Sequence, residues 1–109
     1  PVLVTTNFAL TYFIVSGEIE ASRVPAWLLI KDSEGLSVMT AWAAGKFSGD
    51  DVGMFVKKCG IADKVKNQEV IIPGYAAAIA GDMEEELPGW TVTVGPREAA
   101  HIAGFLKAR

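Results

Sequence analysis

Four short apolar runs punctuate the chain, and a stretch with helical spacing follows each of them. The runs are residues 1–6 (Pro-Val-Leu-Val-Thr-Thr), 26–30 (Ala-Trp-Leu-Leu-Ile), 69–72 (Glu-Val-Ile-Ile) and 90–94 (Trp-Thr-Val-Thr-Val). Their β-branched and aromatic content suits extended backbone. Runs 1–6 and 26–30 are apolar almost throughout instead of alternating, which predicts strands covered on both faces, the habit of parallel sheets.

Between the strands the period changes to that of a helix. Phe8, Tyr12, Val15 and Ile19 recur at helical spacing over 8–19, and Asn7 before them predicts an N-cap, its side-chain oxygen taking a free first-turn amide. Residues 32–35 (Asp-Ser-Glu-Gly) are a turn by composition. The stretch 36–45 admits two readings, the return strand of a hairpin or a helix with Ser37 near its start; its alanines and length favour the helix. Ser48 predicts a cap for a helix with Asp50 and Asp51 in its first turn. Its apolar face is Val52, Phe55, Val56 and Cys59, and Gly60 stops it. An alanine-rich helix over 75–87 closes on Pro88 and Gly89, and a last helix is predicted over 98–107. Strands alternating with helices predict right-handed crossovers and an α/β fold, a Rossmann-like or flavodoxin-like open parallel sheet with helices on both faces. One core suits one domain, residues 1–109.

Composition narrows the function classes. Basic and acidic residues are interspersed at a net charge of −3, without the concentrated basic face that nucleic acid requires. No apolar run approaches the ~18 residues of a membrane span, and no charged-then-apolar leader is present. Cys59 is the only cysteine, too few for an internal disulfide or a thiolate metal centre; a small buried hydrophobe is the expectation for it, and the cytoplasm for the protein. The chain opens on Pro1, directly in a strand pattern, which suggests a domain taken from a larger subunit.

In open parallel sheets ligands bind outside the carboxyl ends of the strands. The loops there are 5–7, 32–37, 73–75 and 95–97, and three of the four contain glycine. Glycine and proline also serve simply to turn the chain, so no single loop is diagnostic; four small-residue loops on one rim point to a binding site without naming its ligand. Other chemistry is thin. His101 has no Asp or Ser spaced to form a triad with it, Asp82 and Glu84 to Glu86 form a solvated acidic stretch, and neither a Gly-x-Gly-x-x-Gly fingerprint nor a P-loop is present.

The loops nonetheless carry a resemblance. Residues 5–13 (Thr-Thr-Asn-Phe-Ala-Leu-Thr-Tyr-Phe), 32–38 (Asp-x-x-Gly-Leu-Ser-Val), 40–47 (Thr-Ala-Trp-Ala-Ala-Gly-Lys-Phe), 72–74 (Ile-Pro-Gly) and 94–99 (Val-Gly-Pro-Arg-Glu-Ala) resemble the C-terminal domain of the large, or gamma, subunit of the corrinoid/iron–sulfur protein family in the acetyl-CoA decarbonylase/synthase system. The resemblance spans essentially the whole chain. It implies a cobalamin-type corrinoid held between this domain and the small subunit. The cobalt would accept a methyl group from methyltetrahydrofolate or a related pterin through a methyltransferase and deliver it to acetyl-CoA synthase. Carried over by position, it implies Thr5, Thr11 and the segment Gly35, Leu36, Ser37 and Val38 as corrinoid-lining residues, with Thr40, Gly74, Gly95 and Arg97 beside them. The corrinoid signature Asp-x-His-x-x-Gly is absent, so the resemblance implies no protein ligand to cobalt from below. The family's iron–sulfur cluster domain has no counterpart in these residues.

A corrin is wide, flat and rimmed with amides, which suits small residues, hydroxyls and free backbone groups. Two other classes fit the same rim: a flavodoxin-like module for a nucleotide or flavin, and a subunit-interaction domain docking through exposed aromatics such as Tyr12 or Trp42. An enzyme acting alone lacks any acid–base pair or oriented nucleophile.

Overall fold

The computed structural model describes residues 1–109. Four parallel strands form one sheet: β1 (Val2–Thr6), β2 (Trp27–Lys31), β3 (Glu69–Ile72) and β4 (Thr91–Val94), in the order β2-β1-β3-β4. The helices are α1 (Ala9–Ser22), α2 (Val38–Ala43), α3 (Gly49–Lys58), α4 (Ala80–Glu86) and α5 (Ile102–Lys107). The predicted open parallel α/β sheet is therefore the fold. Val2 and Leu3 of β1 pair with Trp27 and Leu28 on one side and with Val70 and Ile71 on the other, which makes β1 a central strand and explains its complete burial.

Alternation along the strands divides the core in two. Leu3 and Ile71 face α1 and α5, where Val15, Ile102 and Leu106 complete a small cluster. Val2, Val4, Val70 and Ile72 face α2, α3 and α4 in a larger cluster around Phe47, Val52, Val56, Met83 and Leu87. Each such side chain, fully buried, contributes about 1.5–3 kcal/mol relative to exposure.

Local signals account for most boundaries. Ser48 caps α3, its Oγ accepting from the Asp51 amide at 3.2 Å, while Asp50 and Asp51 at the start and Lys57 and Lys58 at the end complement the helix dipole. The ambiguous stretch is helical over Val38–Ala43, with Ser37 at the N-cap position. The alanine-rich segment begins as a 3-10 helix (Gly74–Ile79) before α4, and the last segment begins as another (Ala99–His101) before α5. Glu18 reaches from α1 to accept the Ala103 amide at 3.1 Å, which ties the last helix to the first.

Four expectations are corrected. Phe8, not Asn7, occupies the N-cap position of α1, and no side chain caps that helix, because the Asn7 side chain is engaged elsewhere. The helix runs to Ser22, three residues beyond the apolar periodicity, because Arg23 takes the left-handed conformation that ends it. Strand β2 is not covered on both faces: it is an edge strand, with Trp27 46% and Ile30 39% exposed. Cys59 is exposed, because it closes α3 at the C-cap after the apolar face has turned away.

Candidate ligand site at the carboxyl edge

Strand β1 leads to its neighbour β2 on one side, and β3 leads to its neighbour β4 on the other. The connections diverge between β1 and β3, the switch point at which open α/β sheets bind ligands. A cleft lies there, with about 480 Å³ of empty space including its open mouth. Thr5 from the end of β1, Val38 from α2, Ile72 and Pro73 from the end of β3, and Gly95 and Pro96 after β4 line it, together with Phe105 of α5.

The cleft is apolar, with one exception. The Oγ1 of Thr5 is buried and has no hydrogen-bond partner within the protein, and the same is true of Thr6 beside it. Thr5 is 2% exposed. A buried hydroxyl left unpaired costs about 1–3 kcal/mol, so an orphan lining a cleft marks a place where a ligand polar group would be welcomed.

Asn7 organises the β2 side of the rim. Its Oδ1 accepts from the amides of Ser33 at 3.0 Å and Gly35 at 2.9 Å, and Ser33 Oγ lies 3.0 Å from the same oxygen. Its Nδ2 donates to Asp32 Oδ1 at 3.0 Å, which also accepts the Glu34 amide at 2.8 Å. Ser33 Oγ is within 2.8 Å of the Leu36 carbonyl, and the Leu36 amide donates to Ser33 O at 3.2 Å. The turn needs this support because two consecutive residues, Glu34 (φ 60°) and Gly35 (φ 78°), are left-handed. Glycine takes that conformation without strain, and a Cβ built on Gly35 would meet nothing within 4 Å.

The residues singled out in the sequence therefore fall into three groups. Gly35, Ser37 and Thr40 form an accessible lip, where Ser37 Oγ donates to Thr40 Oγ1 at 3.1 Å. Thr5 and Val38 line the cleft; Leu36 packs partly into the larger core, and Thr11 is half-buried in the first turn of α1. Gly74 and Gly95 are used by the protein itself. A Cβ on Gly74 would stand 2.6 Å from the Arg97 amide nitrogen and 2.7 Å from the Gly95 carbonyl oxygen, and one on Gly95 would stand 3.1 Å from Ile72 O. The Gly74 amide donates to Pro96 O at 3.2 Å, so these two loops close on each other backbone to backbone. Arg97 is exposed beside them. Next to it the Glu98 carboxylate accepts from Tyr75 Oη at 3.0 Å and holds the phenol above its ordinary pKa.

Asn7 and Asp32 fall within the rim loops and motifs read from the sequence but were not named there as site residues. The signal available was an asparagine directly after one strand and Asp-x-x-Gly directly after another, which a parallel sheet sets side by side. His101 is exposed, and no three His, Cys, Asp or Glu side chains gather as a metal site. No helix is long and apolar enough to cross a membrane.

Residues 1–106 match the family model of the CO dehydrogenase/acetyl-CoA synthase delta subunit. Among curated proteins, the corrinoid/iron-sulfur protein large subunit of Moorella thermoacetica is 50% identical over 99% of this chain and 24% of its own length. The acetyl-CoA decarbonylase/synthase complex subunit gamma of Methanopyrus kandleri is 42% identical over 98% of the chain and 23% of its own length, and that of Methanocaldococcus jannaschii is 39% identical over 98% and 22%. The chain thus spans about a quarter of the length of the relatives it matches. With nearly every residue matched, and with large or gamma subunits as its relatives, the chain belongs to the CO dehydrogenase/acetyl-CoA synthase delta subunit family.

Proposed function

We propose that residues 1–109 form one corrinoid-binding domain of a larger cytoplasmic subunit, holding a cobalamin-type corrinoid at the carboxyl edge of the sheet. The orphan hydroxyl of Thr5, aligned with an apolar cleft at the switch point, is the observation that carries this reading. The names of the relatives support it, since one of them is a corrinoid/iron-sulfur protein.

The residues present fit such a group. The Gly35 lip leaves open space for a flat macrocycle to approach the backbone, and the hydroxyls of Ser37 and Thr40 can partner its peripheral amides. Thr5 Oγ1 can donate to an amide carbonyl that enters the cleft, and Val38 and Pro73 would exclude water around that contact. When bound, the corrin cobalt supplies a carrier for a methyl group, taken from methyltetrahydrofolate through a methyltransferase and passed to acetyl-CoA synthase. This chain's part is to hold and orient the ring, leaving its outer face to the small subunit of the corrinoid/iron–sulfur protein. His101, the chain's one histidine, is exposed and is not among the residues that line the cleft. The iron–sulfur cluster belongs to other parts of such a subunit.

The outer face of α1 supports a docking role as well: Leu10 is 60% and Phe13 69% exposed, with Ile14 and Tyr12 beside them.

Titration of the chain with cobinamide, followed by the corrin absorption bands, tests the proposal. Binding is expected for the wild type. Thr5→Val should weaken it several-fold while raising the stability of the ligand-free chain by about 1 kcal/mol, because the orphan hydroxyl is gone. A folded chain with no spectral shift at millimolar cobinamide would refute the corrinoid. A yellow chromophore on purification would favour a flavin.

A further inference from the structure

We infer that Asn7 is a positioning residue: it fixes the 32–35 turn and thereby presents the lip of Gly35, Ser37 and Thr40 to the ligand, an inference that rests on the corrinoid reading for the ligand's identity. One amide group engages both ends of the turn, the carboxylate of Asp32 through Nδ2 and the backbone of Ser33 and Gly35 through Oδ1. Oδ1 sits in a small nest of inward-pointing amides, the place an anion would otherwise take. Its filling by a neutral carbonyl leaves the turn closed and the lip facing outward.

Asn7 is the one side chain distant in sequence that hydrogen-bonds the turn's backbone. The 32–35 turn follows an edge strand, Glu34 and Gly35 are both left-handed, and Asp32, Glu34 and Gly35 are exposed. The other restraints on the turn are sequence-local, namely bonds within 32–36 and Lys31 Nζ donating to Asp32 O at 3.3 Å, apart from an ion pair between Glu34 and Lys46 at 2.7 Å, of which both partners are exposed. Exposed pairs of this kind contribute about 0–1 kcal/mol. Asn7 instead ties the turn across 28 residues to the end of the central strand β1, beside the orphan Thr5. The cleft and the lip therefore share one anchor.

The chemistry gives a discriminating test. Asn7→Asp keeps an oxygen acceptor for Ser33 and Gly35 but replaces the donor facing Asp32 with a carboxylate, so two like charges meet. Adding Asp32→Asn removes that repulsion; the new amide can donate to the carboxylate introduced at position 7, although the Glu34 amide then loses its acceptor. At neutral pH Asn7→Asp should bind cobinamide about tenfold more weakly than the wild type, and the double variant should recover to within about threefold. Hydrogen exchange at the Gly35 amide, measured without ligand, should be faster in Asn7→Asp and slow again in the double variant. Lowering the pH toward the carboxylate range should restore Asn7→Asp selectively. Equal cobinamide affinity in Asn7→Asp and wild type, or a double variant no better than Asn7→Asp, would overturn the inference. If the wild type itself bound no cobinamide, the corrinoid reading would fall, and exchange at Gly35 would still decide whether Asn7 holds the turn.

Discussion

The two halves of the carboxyl rim use glycine in opposite ways. On the β2 side, Gly35 stands in a left-handed turn with open space around it, and the turn is held from outside by Asn7. On the β3–β4 side, Gly74 is filled in by the backbone of the 95–97 loop, too close for a side chain, while a Cβ on Gly95 would press on the Ile71 side chain at 3.0 Å and on Ile72 O at 3.1 Å. One half offers its missing side chain to solvent or ligand, and the other has already used it for packing. Glycine after a parallel strand is therefore not by itself a mark of ligand approach; what occupies the vacant Cβ position decides.

The largest effect expected from this contrast is at Gly74. Gly74→Ala drives a methyl into three backbone atoms that cannot rotate away, so it should destabilise the chain by about 3 kcal/mol in chemical denaturation, the upper range for overpacking. A loss under ~1 kcal/mol would mean that the two loops separate easily and that the closed half is as open as the other. Gly35→Val comes next. With no neighbour within 4 Å of its Cβ, it bears chiefly the strain of the left-handed backbone, about 1–2 kcal/mol, yet it should lower cobinamide affinity tenfold or more. Unchanged affinity would move the ring off the lip. The smallest effect is a control at the opposite, amino-terminal edge, where Glu69 at the start of β3 pairs with Arg109. The Arg109 guanidinium, with help from Thr93 and against burial, holds the Glu69 carboxyl below its ordinary pKa. A lowered folded-state pKa means stability present above the ordinary carboxylate range and lost as pH falls through the folded value. Arg109→Ala should therefore cost well under 1 kcal/mol at neutral pH, nothing in strong acid, and leave cobinamide binding untouched. A penalty that persisted in acid would assign Arg109 a packing role instead, for instance through Phe105, over whose ring it lies.

The sheet was legible because apolar runs and turn residues act locally: β1, β3 and β4 lie within a residue of the stretches predicted for them. What escaped depended on neighbours in space. Asn7 after a strand satisfies the local chemistry of a helix cap, and only the arrival of the 32–35 turn on the adjacent strand draws its side chain away. The apolar run of β2 promised two covers, but its place at the edge supplies less. In α1 the stripe of Val15 and Ile19 is apolar and inward, while Leu10, Phe13 and Ile14 are apolar and outward, so periodicity identified a helix without ranking its faces. At the rim, the residues of the lip and cleft were named from the family's motifs, and their sorting into open and closed halves required distances.

The tether from Asn7 has a consequence for how the molecule loosens. A peripheral strand ordinarily drags its following turn with it when it frays. Here the turn beyond β2 is moored to the innermost strand, by the Asn7 side chain and by the Asn7 amide bonded to Lys31 O at 3.1 Å. Thermal breathing at Trp27 and Leu28 can then proceed while the turn, moored beside β1, keeps its shape.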